Sequence, residues 1–142
     1  MTLAHAYALV GIPADDLDAA WPDVSPWITK ACERSHGRMR PEDWYEGIKE
    51  RTYQLWVMGG NAGIDAVFIT EIRSYPRRRY AHVHIGIGRN MRRWLHLIDE
   101  FERLSRDYGL DGIEGNWRPG WERVLASKGY RKTHVFMEKV LD

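Results

Sequence analysis

The chain has little cysteine and no long hydrophobic run. Its single cysteine, Cys32, excludes a disulfide within the chain and fits a protein of the reducing cytosol. Apolar stretches such as 62–70 are much shorter than the roughly 20 residues that a membrane span needs. The first residues also lack the basic start of a secretory signal. We therefore expect a cytoplasmic protein without a transmembrane helix.

An excess of one charge is also lacking. The chain has 21 Lys and Arg residues against 20 Asp and Glu residues, a formal net charge of +1. This balance gives no overall attraction to nucleic acid or to an anionic membrane. The basic residues are nevertheless clustered, at 77–79 and again at Arg89, Arg92 and Arg93, so any anion site is expected to be local. We interpret 75–80 as an exposed hairpin whose charges protect a sheet edge, and nucleic-acid binding there as the less favoured alternative.

Tryptophan, in contrast, is abundant, with seven residues in 142. Large aromatic side chains bury the most apolar area, so most of these are expected in the core. Trp21, Trp44 and Trp117 lie off the clearest apolar stripes. Because Trp and Arg are favoured at interfaces, these three are candidates for an exposed surface that binds a protein partner. The oligomeric state stays open.

Hydrophobic periodicity and turn residues predict alternating strands and helices. Strands are expected at 6–12, 53–58, 64–72, 80–87, 111–115 and 130–141. Helices are expected at 26–35, 41–51, 90–108 and 119–128. A helical turn at 15–20 should end at Pro22, since proline breaks a helix interior. The order β-α-α-β-β-β-α-β-α-β predicts one α/β layered domain over residues 1–142.

Two histidines in one strand are the feature that favours chemistry. His82 and His84 are two residues apart, so both side chains should point to the same face of the sheet. The opposite face should carry the apolar side chains of Ala81, Val83, Ile85 and Ile87. Neutral imidazole can take a proton from an ammonium group near pH 7, and Glu71 in the preceding strand is a further candidate base. Histidines that merely hydrogen-bond to their neighbours are the alternative, which stays open.

Other chemistries have less support. His36, His96 and His134 are too scattered to supply a third ligand beside the strand pair, so no metal is expected. Neither a Gly-x-Ser-x-Gly elbow nor a phosphate-binding Gly-x-x-x-x-Gly-Lys-Ser/Thr loop occurs.

The C-terminal half resembles a known superfamily. The helix at 95–109, the strand at 110–114 and a last helix ending in Lys128-Gly129-Tyr130 resemble the corresponding elements of the GNAT acetyltransferases, as does the element order of nearly the whole chain. The resemblance implies a mixed, mainly antiparallel α+β sheet of about six strands, flanked by helices. It also implies an N-acyltransferase that moves an acetyl group from acetyl-CoA to an amine.

The chain also resembles small GNAT-like proteins encoded by bacteriophages, some of which are internal virion proteins. This similarity implies an alternative, a catalytically silent protein of a phage particle or of its assembly. Its partners would be other components of the particle, and its location a bacterial or phage-infected cell, or the virion.

Site roles also follow from the resemblance. Family members bind the acyl-CoA pyrophosphate on backbone amides of a Gln/Arg-x-x-Gly-x-Gly/Ala loop at the start of the long helix. That pattern is absent here, and the loop corresponds to Gly88, Arg89, Asn90, Met91, Arg92 and Arg93. These are the implied cofactor residues, with a solvated helix face as the alternative for Arg92 and Arg93.

Some members use two histidines of the fourth strand as a proton relay, which implies that role for His82 and His84. Leu125 occupies the position of a tyrosine acid.

Overall fold

The computed structural model of the protein describes residues 6–142. Its sheet has five strands in sequential order, β1 (Ala8–Ile12), β2 (Gln54–Gly60), β3 (Gly63–Ser74), β4 (Arg79–Gly88) and β5 (Gly112–Gly115). Neighbouring strands are antiparallel except β4 and β5, which are parallel. The predicted α+β fold with a mixed, mostly antiparallel sheet is therefore confirmed, with five strands instead of about six.

Helices cover both faces of this sheet. They are α1 (Leu17–Cys32), α2 (Pro41–Lys49), α3 (Met91–Trp94), α4 (Leu97–Asp107) and α5 (Glu122–Ser127). The first two share one apolar core with the sheet, and the other three share a second core on the opposite face. None of the helices between residues 6 and 142 has the length and apolar character needed to cross a membrane.

The first helix corrects the prediction of a break at Pro22. α1 runs without interruption through Pro22 and Pro26. An interior proline removes a backbone hydrogen bond and crowds the preceding turn. Burial compensates for this, because one stripe of the helix is at most 2% exposed, formed by Leu17, Ala20, Val24 and Ile28. Packing against the sheet thus outweighs the local effect of the prolines.

A β-bulge in β4 corrects a second prediction. Ile85 and Val83 pair with successive residues of β3, so His84 lies between them as an extra residue. Such a bulge reverses the alternation of side chains. Val83 therefore packs with α3 to α5, whereas Ile85 and Ile87 pack with α1 and α2. The prediction that Ala81, Val83, Ile85 and Ile87 share one face is wrong.

The long helix predicted at 90–108 is two helices. Between α3 and α4 the backbone makes tighter bonds of three-residue spacing, from Ile98 to Leu95 and from Asp99 to His96. This turn lets the core-facing residues of both helices reach the sheet. The predicted stripe nevertheless ends early, since Tyr108 is 65% exposed.

The C-terminal segment also differs from its prediction. Residues 130–141 form no strand, and those after Tyr130 are exposed. A strand exists only where a neighbouring strand completes its hydrogen bonds. No described strand pairs with this segment, although its sequence has the β-branched and aromatic content of a strand.

Within the sheet, the Thr70 hydroxyl joins two side chains of β2. It accepts a hydrogen bond from Trp56 Nε1 at 2.9 Å and donates one to Gln54 Oε1 at 3.0 Å. Valine in this position leaves both groups without that partner. We expect Thr70→Val to lower the free energy of unfolding by about 1–3 kcal/mol, measured by urea unfolding. Thr52→Val, at an exposed threonine, is the control and should change it by less than about 0.5 kcal/mol; equal losses would contradict this role.

Candidate active site

A cleft opens where β4 and β5 separate. The two strands pair only from Tyr80 with Gly112 to Val83 with Gly115, and β4 continues for five more residues, to Gly88. No described strand lies beside that extension on the β5 side. A cavity of about 170 Å³ follows it instead, between the end of α1 and the segment after β5. Parallel strands that diverge in this way leave backbone groups of β4 free to bind a ligand.

His84 lies in the wall of this cleft. Its Nε2 lies 2.8 Å from Glu71 Oε1, and its ring packs against the rings of Trp44 and Tyr53 at centroid distances of 5.4 and 5.3 Å. A carboxylate can only accept, so Nε2 carries the proton and the lone pair of the neutral ring is on Nδ1. Glu71 and the two aromatic rings therefore fix both the orientation and the tautomer of His84.

His82 lies behind His84 and is 5% exposed. The two imidazole rings are 4.7 Å apart, which places both side chains together as predicted from their spacing. His82 Nδ1 lies 2.6 Å from Glu114 Oε2, and Tyr75 donates a hydrogen bond to the same carboxylate oxygen at 2.7 Å. Two histidine–carboxylate pairs thus meet at the point where the sheet opens.

The surroundings set the protonation states of this cluster. Burial lowers the pKa of His84 below its ordinary value, and the hydrogen bond to Glu71 opposes this change only in part. Burial would raise the pKa of Glu114, but hydrogen bonds from Tyr75 and His82 and the charge of Arg73 outweigh it and lower that pKa. His84 is therefore neutral at pH 7, the state that a base requires, while Glu114 is ionised.

The predicted cofactor loop lies at the far end of β4. Arg89 and Arg93 both approach the buried carboxylate of Asp65, at 3.5 and 3.6 Å, and Tyr7 donates a hydrogen bond to it at 2.7 Å. Arg92 is exposed at the start of α3. One carboxylate thus faces two guanidinium groups, which leaves an excess of positive charge beyond the end of β4.

Packing holds this loop closely against the sheet. Trp94 is 1% exposed, and its indole Nε1 donates a hydrogen bond of 2.8 Å to the Arg89 carbonyl. A side chain at Gly88 would come within 2.8 Å of Asp65 backbone and of Ala66. Asn90 adopts a left-handed backbone conformation as the chain enters α3. The Arg89 amide bonds to the Asp65 carbonyl and the Arg93 amide to the Asn90 carbonyl, which leaves Met91 and Arg92 as the first helical residues, whose amides have no partner within the helix.

The position that the resemblance assigns to a tyrosine acid is apolar. Leu125 is 4% exposed and belongs to the core between α5 and the sheet. Tyr130 donates its hydroxyl hydrogen bond to Glu102 at 2.9 Å, and burial together with that bond raises its pKa. Tyr108 lies on the surface. Neither tyrosine therefore replaces the acid.

Sequence reasoning located some of these residues and missed others. Glu114 was missed, although a parallel β4–β5 pairing brings it opposite His82. Asp65 was missed as the partner of the loop arginines. Among the predicted interface residues, Trp44 is buried in the core, which corrects that expectation, whereas Trp21 and Trp117 are half-buried.

Within residues 6–142, no group of three or more His, Cys, Asp or Glu side chains is placed to hold a metal ion.

Comparison with protein-family models finds no match, and comparison with curated proteins also finds none. Solved structures are similar over nearly the full length. A GCN5-related N-acetyltransferase from Ralstonia eutropha has a TM-score of 0.67 at 13% identity, covering 95% of this chain and 99% of that chain. Glucosamine-6-phosphate N-acetyltransferase from Arabidopsis thaliana has a TM-score of 0.65 at 12% identity, covering 97% and 100%. A ribosomal-protein-alanine N-acetyltransferase from Brucella melitensis has a TM-score of 0.63 at 11% identity, covering 94% and 99%.

Identities this low establish the fold and leave the substrate undetermined. The TM-scores of 0.67 and 0.65 extend over nearly the whole of both chains. The chain has the fold of the GNAT N-acetyltransferases.

Proposed function

We propose that the protein is an N-acyltransferase that moves an acetyl group from acetyl-CoA to an amine. The observation that carries this proposal is the His84–Glu71 pair in the wall of the cleft, with His82–Glu114 directly behind it. A general base must be neutral, oriented and accessible to substrate. His84 meets these three conditions, because its pKa is lowered, its tautomer is fixed and it lines the cavity.

Acetyl-CoA fits the residues of the cleft. The edge of β4 beyond Val83 offers backbone groups to the amides of an extended pantetheine arm. The loop of Gly88, Arg89, Asn90, Met91, Arg92 and Arg93 offers helix-start amides and positive charge to phosphates. Arg34 and Arg118 also line the cleft, whose lining has no Asp or Glu. An anionic cofactor therefore meets favourable charge along this channel.

The residues of the cleft would transfer a proton from the acceptor amine and hold the imidazole that takes it. Acetyl-CoA supplies, when bound, the acetyl group as a thioester. His84 Nδ1 takes a proton from the ammonium group of the acceptor, and the Glu71 carboxylate, 2.8 Å from Nε2, stabilises the imidazolium that results. His82, held by Glu114, presents a second imidazole at ring contact with the first. Trp44 and Tyr53 exclude water from one side of the His84 ring.

Release of the CoA thiol tests this proposal. Purified protein is incubated with acetyl-CoA and, separately, with amino sugars, amino acids, polyamines and peptides with free N-termini, and the thiol is measured with a chromogenic reagent. We expect release above the rate of the no-amine control with at least one class. Acetyl-CoA binding without release for any class would contradict catalysis at this site.

The second candidate is a catalytically silent member of the fold. Two observations favour it. Leu125 is apolar and occupies the position of the acid. The Trp117 ring packs closely on Gly86 of β4, since a Cβ atom at Gly86 would lie 3.1 Å from that ring. This candidate predicts a protein that binds no acetyl-CoA. A phage origin, a place in a virion and particle components as partners belong to this candidate, and they stay predictions.

A further inference from the structure

The cavity beside His84 contains polar groups that the transfer of the proton does not use. Arg34 and Ser35 line it from the segment after α1, and Asn116 and Arg118 line it from the segment after β5. Guanidinium, hydroxyl and carboxamide groups can all donate hydrogen bonds, and the guanidinium groups are also charged. Hydrogen-bond donors and positive charge therefore lie on both sides of the cavity.

No carboxylate neutralises the two arginines. Both are exposed, and within residues 6–142 neither Arg34 nor Arg118 has an ion pair. The lining of the cavity contains neither Asp nor Glu. Glu71 and Asp43 lie outside it and are engaged elsewhere, since Glu71 Oε1 lies 2.8 Å from His84 Nε2 and Asp43 accepts a hydrogen bond from the backbone at the start of α2. The cavity therefore has an excess of positive charge.

The loop proposed to bind the cofactor phosphates is a different part of the cleft. That loop, 88–93, begins at the end of β4, whereas the cavity follows residues 83–87 of the same strand. In acetyl-CoA the phosphates and the thioester are at opposite ends of the pantetheine arm. Phosphates bound at the loop thus direct the thioester toward His84 and leave Arg34 and Arg118 for the other reactant.

We propose that the acceptor is an amine that also carries a carboxylate or a phosphate, with this anionic group bound by Arg34 and Arg118 and the amine facing His84. The inference rests on the proposed function and identifies the class of acceptor for the same cavity. Guanidinium groups bind both anions through charge-assisted hydrogen bonds, often in pairs. A molecule with several ammonium groups meets two positive charges and no carboxylate in the lining, so polyamines are poor acceptors.

The size of the cavity adds a second restriction. Its volume is about 170 Å³, below the roughly 300–1,000 Å³ of pockets for drug-sized ligands. Trp44, Trp117 and Trp121 contribute aromatic surface to its lining. The part of the acceptor that enters is therefore small, with a short apolar spacer between the amine and the anion.

Matched pairs of small amines test the charge preference. Each pair keeps the amine and differs in the anion, as in γ-aminobutyrate with γ-aminobutyramide, for a carboxylate, and phosphoethanolamine with ethanolamine, for a phosphate. The anionic member of at least one pair should have a kcat/KM for acetyl transfer about 10-fold or more above its partner, as expected of a hydrogen bond to a charged group. Equal rates within both pairs, or faster acetylation of spermidine, would overturn the inference and leave the acyltransferase in place.

Binding measurements keep this test separate from the proposed function. Each amine is titrated into protein saturated with CoA, so that no acetyl group is transferred, and binding is followed by NMR chemical shifts. An anionic amine should bind about 10-fold or more tightly than its neutral partner. This preference without acetyl transfer would contradict the proposed function but not the anion site. Equal affinities, or no binding of either anionic amine, would overturn the inference.

Two substitutions assign the effect to the arginines. Arg34→Gln and Arg118→Gln should each raise the KM for the anionic amine about 10-fold or more, and should leave the KM for its neutral partner unchanged. The dissociation constant of acetyl-CoA should change by less than about 3-fold, since distant charges are screened. Arg123→Gln, at an exposed arginine of α5 outside the cavity, is the matched control and should change none of these values. Weaker acetyl-CoA binding with an unchanged acceptor KM would assign the arginines to the cofactor and refute the proposal.

Discussion

Replacing His84 with glutamine should lower the acetyl-transfer rate about 10²–10⁴-fold, the usual contribution of a positioned base. Glutamine keeps a polar side chain beside Glu71 but cannot take the proton from the acceptor. The rate is measured as CoA thiol release with the best amine found. His96→Gln, at an exposed histidine between α3 and α4, is the matched control and should retain the wild-type rate.

The pH profile gives this prediction a second readout. Because the pKa of His84 is lowered, the wild-type rate should fall only below about pH 6.5, where the imidazole becomes protonated. Glu71→Gln removes the carboxylate that favours the protonated His84 ring. The fall of the rate at low pH should therefore move to still lower pH, and the maximal rate should decrease. If the rate of the His84→Gln variant fell at the same low pH as the rate of the wild type, the base would be another group.

Replacing Trp94 with alanine should lower the free energy of unfolding by about 3–5 kcal/mol. Its indole fills the core between α3 and the sheet, with the rings of Phe68 and Trp121 at 5.8 and 5.6 Å. The same change removes the hydrogen bond that holds the Arg89 carbonyl. The 88–93 loop, which we propose binds the cofactor phosphates, should then lose its fixed conformation, and acetyl-CoA binding should weaken as well.

Trp94→Phe separates these two effects. Phenylalanine keeps most of the apolar volume but loses the indole hydrogen bond, which contributes about 1 kcal/mol. Urea unfolding and calorimetric titration with acetyl-CoA measure both quantities for the two variants. A Trp94→Ala protein within about 1 kcal/mol of wild type would contradict the structural role of this residue.

Local sequence patterns predicted most of the strands and helices, because these elements depend largely on residues that are close together in the chain. The two-residue spacing of His82 and His84 was enough to place them together. The bulge at His84 was not predictable in this way, since it arises from how β4 aligns with β3, a strand with its own register. Glu114 was missed for a similar reason, because its place opposite His82 depends on the pairing of strands about 30 residues apart.

Tertiary packing explains the remaining differences. Pro22 and Pro26 carry a local signal for a helix end, but burial of one stripe of α1 against the sheet decides the outcome. The C-terminal segment shows the opposite case, in which a strand signal is present and its partner strand is missing within the described chain. Local propensity describes what a segment favours, whereas pairing and burial determine what it forms.

Calorimetric titration of the folded protein with acetyl-CoA tests the central claim most directly. Binding along the β4 edge and the 88–93 loop predicts saturation at one ligand per chain, with a dissociation constant between about 1 μM and 1 mM, the usual range for enzyme substrates. Trp94→Ala should weaken it. No heat of binding at millimolar acetyl-CoA, with the protein folded, would contradict the acyltransferase and leave the catalytically silent member of the fold.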